Sequence, residues 1–201
     1  MKKNWCSLFM CGLFLVVLNG CAHVDREVSL LYTPVANARL GKGEIVIGAS
    51  HTNNKPAGTD VRWIIGKVKN SDGETAGNIY STMAPEDILM DAFEQELRTA
   101  GYSVTQVSAL PTTVKKGIFV PKMTLSLEEE SGLVKGKASS TLNVAVDLWK
   151  NGQKIRQLSY ESRVSDIAVR DRDLLAQQVL EKSLQEIMKQ AVPEIVSALE
   201  R

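Results

Sequence analysis

The sequence predicts an α+β fold, an antiparallel or mixed sheet with two main helices packed on one face. Three observations carry this expectation. An amphipathic run that begins at Pro85 stops at Gly101 and leaves directly as Tyr102-Ser103-Val104. Asn151-Gly152 separates two runs of alternating apolar residues. A second amphipathic run, from about Asp171, closes the chain. Helices set on one side of an antiparallel sheet are among the few ways such elements bury their apolar faces together.

Taken in order, Glu44-Ile45-Val46-Ile47-Gly48 is a short strand, rich in β-branched residues and ended by glycine. His51 to Gly58 is a loop by its turn-forming residues. In the next strand, alternation places Val61, Trp63 and Ile65 on one side. Asn70-Ser71-Asp72-Gly73 marks a turn, and Ala76 to Met83 is a short extended piece. The helix that follows has Pro85 at its first position, where a missing N–H costs nothing. Glu86 and Asp87 complement the positive end of its dipole. Leu89, Phe93, Leu97 and Ala100 recur at helical spacing, Ile88 and Ala92 widen the stripe, and Gly101 supplies a left-handed stop.

Ser108 to Lys116 is a loop containing Pro111. Phe119, Met123, Leu125 and Leu127 form the apolar row of a long strand, in which Pro121 argues for an edge position. After a turn from Gly132 to Gly136, Leu142, Val144, Val146 and Leu148 alternate along a half-buried strand. Asn151-Gly152 is a strong hairpin signal. The uneven spacing of Ile155, Leu158 and Tyr160 on the returning strand allows a bulge. In the last helix, Ala176, Leu180, Leu184, Ile187 and Ala191 make the stripe, extended by Val179 and Met188. Pro193 is expected to kink or end it, leaving Glu194 to Leu199 as a second short helical piece.

The N-terminus has a different character. Met1-Lys2-Lys3 is cationic, and Cys6 to Leu18 is an uncharged apolar block. As a helix that block reaches about 20 Å, short of the roughly 30 Å hydrocarbon core. It reads as a secretory signal and not as a spanning helix. Its end, Leu18-Asn19-Gly20-Cys21, resembles the lipobox of bacterial lipoprotein precursors. In that family a diacylglyceryl group joins the Cys thiol, cleavage precedes the Cys, and the new amine is acylated. The resemblance implies a cleaved signal peptide over 1–20, cut between Gly20 and Cys21. Residues 21–32 are then a lipidated Cys and tether, and 33–201 a single periplasmic domain. Two or three acyl chains on one residue exceed the two-signal threshold for stable membrane anchoring. Ala22, not Asp, follows the Cys; in a host with two membranes this implies outer-membrane delivery, facing the periplasm.

Composition narrows the chemistry. Of the three cysteines, Cys6 and Cys11 leave with the signal and Cys21 carries lipid, so redox catalysis and thiolate metal sites are excluded on this reading. Loss of Lys2 and Lys3 takes the net charge from +1 to −1, which makes no electrostatic case for nucleic acid. His23 sits beside Cys21, and His51 lies in a polar loop without partners at ligand spacing, so no metal set is expected. There is no Gly-x-Ser-x-Gly elbow, and Gly41-Lys42-Gly43 reads as a turn because it lacks a nucleotide-binding spacing. Glu128-Glu129-Glu130 reads as a solvated strand end or edge protection, with paired catalytic carboxylates as the competing reading. Arg170 to Asp173 reads as a capping and salt-bridging cluster. Trp63 and Trp149 are either packing residues or contacts for a protein partner. Neither an enzymatic activity nor a cofactor is expected.

The stretch Thr59-Asp60-Val61-Arg62-Trp63-Ile64-Ile65-Gly66-Lys67-Val68-Lys69-Asn70-Ser71-Asp72-Gly73 resembles the Asp-x-Arg … Ile-Gly-x-Val-x-Asn … Gly segment of the YajG-type bacterial lipoproteins. The similarity continues through Pro85, Ala92-Phe93, Leu97 and Ala100-Gly101-Tyr102. It implies an envelope lipoprotein without catalytic residues, and a fold like that of auxiliary lipoproteins of envelope ABC transport systems. Asp60, Arg62, Gly66, Asn70 and Gly73 match the motif; a buried Asp60–Arg62 interaction and a turn requirement at Gly66 would account for them. The expected role is a lipid-anchored binding or assembly module that contacts another envelope protein. The alternative is an auxiliary lipoprotein of an ABC-type lipid or solute transport system.

Overall fold

The computed structural model describes residues 24–50, 62–132 and 134–201. Over these residues the chain runs β1 (Arg26–Val28), β2 (Glu44–Ala49), β3 (Trp63–Lys69), β4 (Thr75–Ser81), α1 (Pro85–Ala100), β5 (Ser103–Val107), β6 (Lys116–Ser131), β7 (Gly136–Lys150), β8 (Gln153–Ala168) and α2 (Leu175–Glu200). A 3-10 turn at Arg172–Leu174 precedes α2. The strands form one mixed sheet, and both helices pack on one face of it, as the sequence predicts.

β6 is the spine of the sheet. One side pairs antiparallel with β7 along its whole length. The other side is divided: Gly117–Val120 pair with Val46–Ala49 of β2, and Leu127–Glu130 with Gly66–Lys69 of β3, both parallel. β5 flanks β2, β4 and β1 flank β3, and β8 flanks β7. Pro121 falls where β2 hands over to β3, inside a bulge between Phe119 and Lys122. β6 is therefore central and not an edge; the bulge and the gap between β2 and β3 supply a place where a missing N–H breaks no ladder bond. It also inverts the side-chain alternation. Ile118 and Val120 face the core before it, Leu127 and Glu129 after it, and Phe119 leaves the row that its spacing suggested.

The core joins the layers in one cluster, with Phe93 and Leu97 of α1, Leu142 and Val146 of β7, and Leu184 and Ile187 of α2 all fully buried. α1 ends as expected at Gly101, whose φ of 111° is left-handed and whose N–H donates to the Arg98 carbonyl. α2 does not end at Pro193. It runs unbroken because Val192, Ile195, Val196 and Leu199 continue its buried face. Pro193 and Lys189, the residue whose carbonyl loses its helical donor, are both exposed, so water can bond that carbonyl. The hairpin at Asn151-Gly152 has positive φ at both residues, 50° and 76°, as a type I′ turn requires. The anticipated bulge in β8 is Ile155: Leu148 pairs with Arg156 and Trp149 with Lys154, which turns Ile155 outward.

The fold begins earlier than the expected tether boundary. Arg26–Val28 pair with Ile79–Ser81, and Val28 and Tyr32 are core residues. A three-residue strand is too short to show alternation, so the stretch between 21 and 32 carried no strand signal. From there the chain crosses to α1, where one buried carboxylate holds it. Glu96 accepts from the Tyr32 hydroxyl at 2.6 Å and from the backbone N–H groups of Val35 and Ala36.

Candidate functional site

Gly20, Cys21, His23, His51 and Asp60 lie outside the described residues. The first described residue, Val24, is already bonded into the sheet, its N–H donating to the Ala76 carbonyl at 3.2 Å. Gly77 permits this approach, since a Cβ there would lie 2.2 Å from the Val24 carbonyl oxygen. Cys21 is thus separated from the sheet by only the intervening residues 22 and 23.

Next to this entry, Arg26 bridges two elements. Its Nε donates to Glu129 Oε1 at 3.1 Å and its Nη1 lies 3.1 Å from Asp173. Glu129 is 2% exposed, and its Oε2 has no hydrogen-bond partner among the described residues. Strand alternation turns Glu129 to the core face and Glu128 and Glu130 to the opposite face. Glu128 pairs with Lys69 at 2.8 Å and Glu130 is exposed. Glu129 is not a solvated strand end, because it serves β1. The Arg170–Asp173 group likewise does not cap α2: neither helical turn there has a side-chain cap. Instead, Arg172 donates to the Gly132 carbonyl at 2.7 Å, tying the β6–β7 turn to the β8–α2 connection.

The motif residues have structural work to do. Arg62 is exposed and lies 4.9 Å from the centroid of the Tyr80 ring, a cation–π contact. It is not buried. Gly66 serves no turn; it sits in a bulged stretch of β3, where a Cβ would meet the Leu127 carbonyl at 2.3 Å. Asn70 and Gly73 build the β3–β4 turn. The Asn70 Oδ1 accepts from the N–H groups of Asp72 and Glu74, and Gly73, with φ of 81°, donates to the Asn70 carbonyl. Trp63 is partly buried against the core. Trp149 is also partly buried, opposite Gly117 of β6, with its Nε1 enclosed and without a partner among the described residues.

Three tyrosine–carboxylate pairs, joining residues 34 to 98 positions apart, carry no signal in the sequence. Tyr32 meets Glu96, Tyr102 meets Glu200 at 2.6 Å, and Tyr160 meets Glu194 at 3.0 Å. Burial first, then the neighbouring carboxylate, pushes all three phenols well above their ordinary range. Burial opposes the charge on Glu200. Hydrogen bonds from Lys116, Tyr102 and the Lys42 N–H outweigh it and hold that carboxyl below its usual range.

The face of the sheet turned away from the helices is polar, with Thr124, Ser126, Asn143, Ser159, Glu161 and Ser165 exposed on β6, β7 and β8. A shallow concavity of about 480 Å³ lies there, lined in part by Lys122, Thr124, Asn143, Ser159 and Glu161. Its hydroxyls, amide and charges of both signs suit hydrogen-bonded recognition. Among the described residues, no group of three His, Cys, Asp or Glu is placed to hold a metal ion.

No protein-family model matches the sequence, and no curated protein matches it. Solved structures do. A Xanthomonas campestris protein of family DUF330 is similar over 88% of this chain and 97% of its own, with 11% identity and a TM-score of 0.50. A minor lipoprotein from Acinetobacter baumannii is 12% identical over 66% of this chain and 92% of its own, at a TM-score of 0.43. Rare lipoprotein B from Shewanella oneidensis is 15% identical over 67% of this chain and 92% of its own, at 0.31. The likeness to the DUF330 structure is one of fold, and it spans nearly all of the sheet-and-two-helix unit described above.

Proposed function

We propose that this protein is a lipid-anchored lipoprotein of the cell envelope, a non-enzymatic binding or assembly module on the periplasmic side of the outer membrane. The Leu18-Asn19-Gly20-Cys21 stretch behind an apolar signal carries this reading. The position of Val24 supports it: an acylated Cys21 would hold the domain at the membrane surface with almost no free tether. The resemblance to YajG-type lipoproteins belongs to the same reading. The uncovered polar sheet face is the surface we assign to contact with another envelope protein. The second reading is an auxiliary lipoprotein of an envelope transport system, which an apolar ligand cavity between sheet and helices would favour.

The test is metabolic labelling with palmitate. The wild-type protein should take up label and fractionate with membranes, whereas Cys21→Ala should do neither. Equal labelling of the two would end the proposal.

A further inference from the structure

One end of the sheet gathers the chain's entry and four exposed apolar side chains. The strand register shows this directly. Val24 bonds to Ala76, and Gly77 stands opposite Val68, Val68 opposite Glu129, Glu129 opposite Ala138 and Ala138 opposite Asp166. Ile167 is one residue beyond that row. The turn between β6 and β7 and the connection from β8 to α2 close the same end. There, Val134 is 75%, Ile167 55%, Val169 65% and Leu174 50% exposed. Arg172 binds the two connections together through Gly132, and Arg26 fastens β1 to Asp173 beside them. Single exposed apolar residues on a surface need no explanation. Four at the end of the sheet where the chain enters do.

We propose that this apolar end rests in the headgroup–acyl boundary of the phospholipid bilayer to which the protein is anchored, an inference that rests on the lipid-anchor reading above. Cys21 and Val24 are three Cα steps apart, so the entry lies at most about 11 Å from the acylated residue. From β1 to β8 the sheet is about 24 Å wide, so the anchor brings the β1 edge of this end to the membrane and the apolar side chains extend the contact across it. Exposed charges around it are of both signs, Lys135, Lys137 and Arg170 against Glu130 and Asp171. The contact is therefore apolar and indifferent to anionic lipid. The long hairpins reach about 50 Å from this end, which holds the Asn151-Gly152 turn away from the bilayer.

The experiment uses the full acylated chain, with a polarity-sensitive fluorophore on a single engineered thiol. Val134→Cys and Val169→Cys probe the apolar end, and Gln153→Cys probes the far end. Each protein is reconstituted into phosphatidylethanolamine vesicles, with or without phosphatidylglycerol, containing a shallow nitroxide-labelled lipid. Quenching severalfold stronger at 134 and 169 than at 153, unchanged by phosphatidylglycerol, is the expected result. Intact mass separates the two ways of failing. Protein without acyl chains overturns the anchor and this proposal together, whereas acylated protein with equal quenching at all three positions overturns the membrane-resting end alone. A photoreactive group at position 169 in native envelopes should capture phospholipid; consistent capture of one protein instead assigns this end to that partner and overturns the proposal.

Discussion

Arg26 and Glu129 stand 103 residues apart and meet at 3.1 Å, where the first strand of the fold is pinned to the spine of the sheet. The carboxylate is 2% exposed, so Arg26 compensates a charge that would otherwise be costly to bury. It also reaches Asp173 and so links the start of the chain to the approach of α2.

Arg26→Ala should therefore destabilise the protein by about 2 kcal/mol, a partial version of the cost of unpairing a buried ion because Arg26 retains some solvent contact. Glu129→Gln removes the buried charge and keeps an acceptor. The double variant Arg26→Ala/Glu129→Gln should then be more stable than Arg26→Ala alone, as a coupled pair requires. Urea unfolding of the four proteins measures this. Strict additivity would show that the contact contributes little.

At alkaline pH the three buried phenols act together. Tyr32, Tyr102 and Tyr160 are raised above the ordinary value of 10.0 by burial and by their carboxylate partners. The unfolded chain releases these protons near pH 10 while the folded chain keeps them. Their contribution is fully present below pH 10 and is lost as pH rises beyond it, with a slope of up to about 1.4 kcal/mol per pH unit for each phenol. Phenolate absorbance from these residues should appear together with loss of the circular dichroism of the fold. Ionisation of all three while the fold persists would contradict the assignment.

At acid pH the sign reverses. Glu200 is held below its ordinary value of 4.5 by Lys116, Tyr102 and the Lys42 N–H, against the opposing effect of burial. Its contribution is present above that value and is lost as pH falls through the lower folded-state pKa. The urea midpoint should fall as the pH is lowered below about 4.5, and should fall less steeply in Glu200→Gln. Identical acid limbs in the two proteins would remove Glu200 as a source of the pH dependence.

Elements longer than one turn or one alternation were legible in the sequence. Pro85 and Gly101 bracket α1, and Asn151-Gly152 forms its hairpin turn, because those positions depend on local backbone geometry. What escaped was set by distant residues. The bulge at Pro121 takes its meaning from β2 and β3, which share one side of β6 only in the folded sheet. β1 is held by Arg26, and Gly66 by the backbone of Leu127, neither of which a local pattern reveals. The same limit applies to the candidate site. Leu18-Asn19-Gly20-Cys21, the stretch that resembles a lipobox, is contiguous, whereas the apolar end is assembled from Val134, Ile167, Val169 and Leu174, all of them unremarkable in their own stretches.

Pro193 tests how local preference and packing divide the last helix. It is exposed in the interior of α2 while the buried face continues on both sides. A proline in a helix interior is about 3 kcal/mol less favourable than alanine, partly offset because it also restricts the unfolded chain. Pro193→Ala should restore the N–H that bonds the Lys189 carbonyl and raise stability by about 1–2 kcal/mol. Thermal and urea unfolding would both shift upward. A lower midpoint would mean that the buried contacts of Ile195, Val196 and Leu199 depend on a helix path that only the proline imposes. Packing would then govern this helix more strongly than backbone hydrogen bonding.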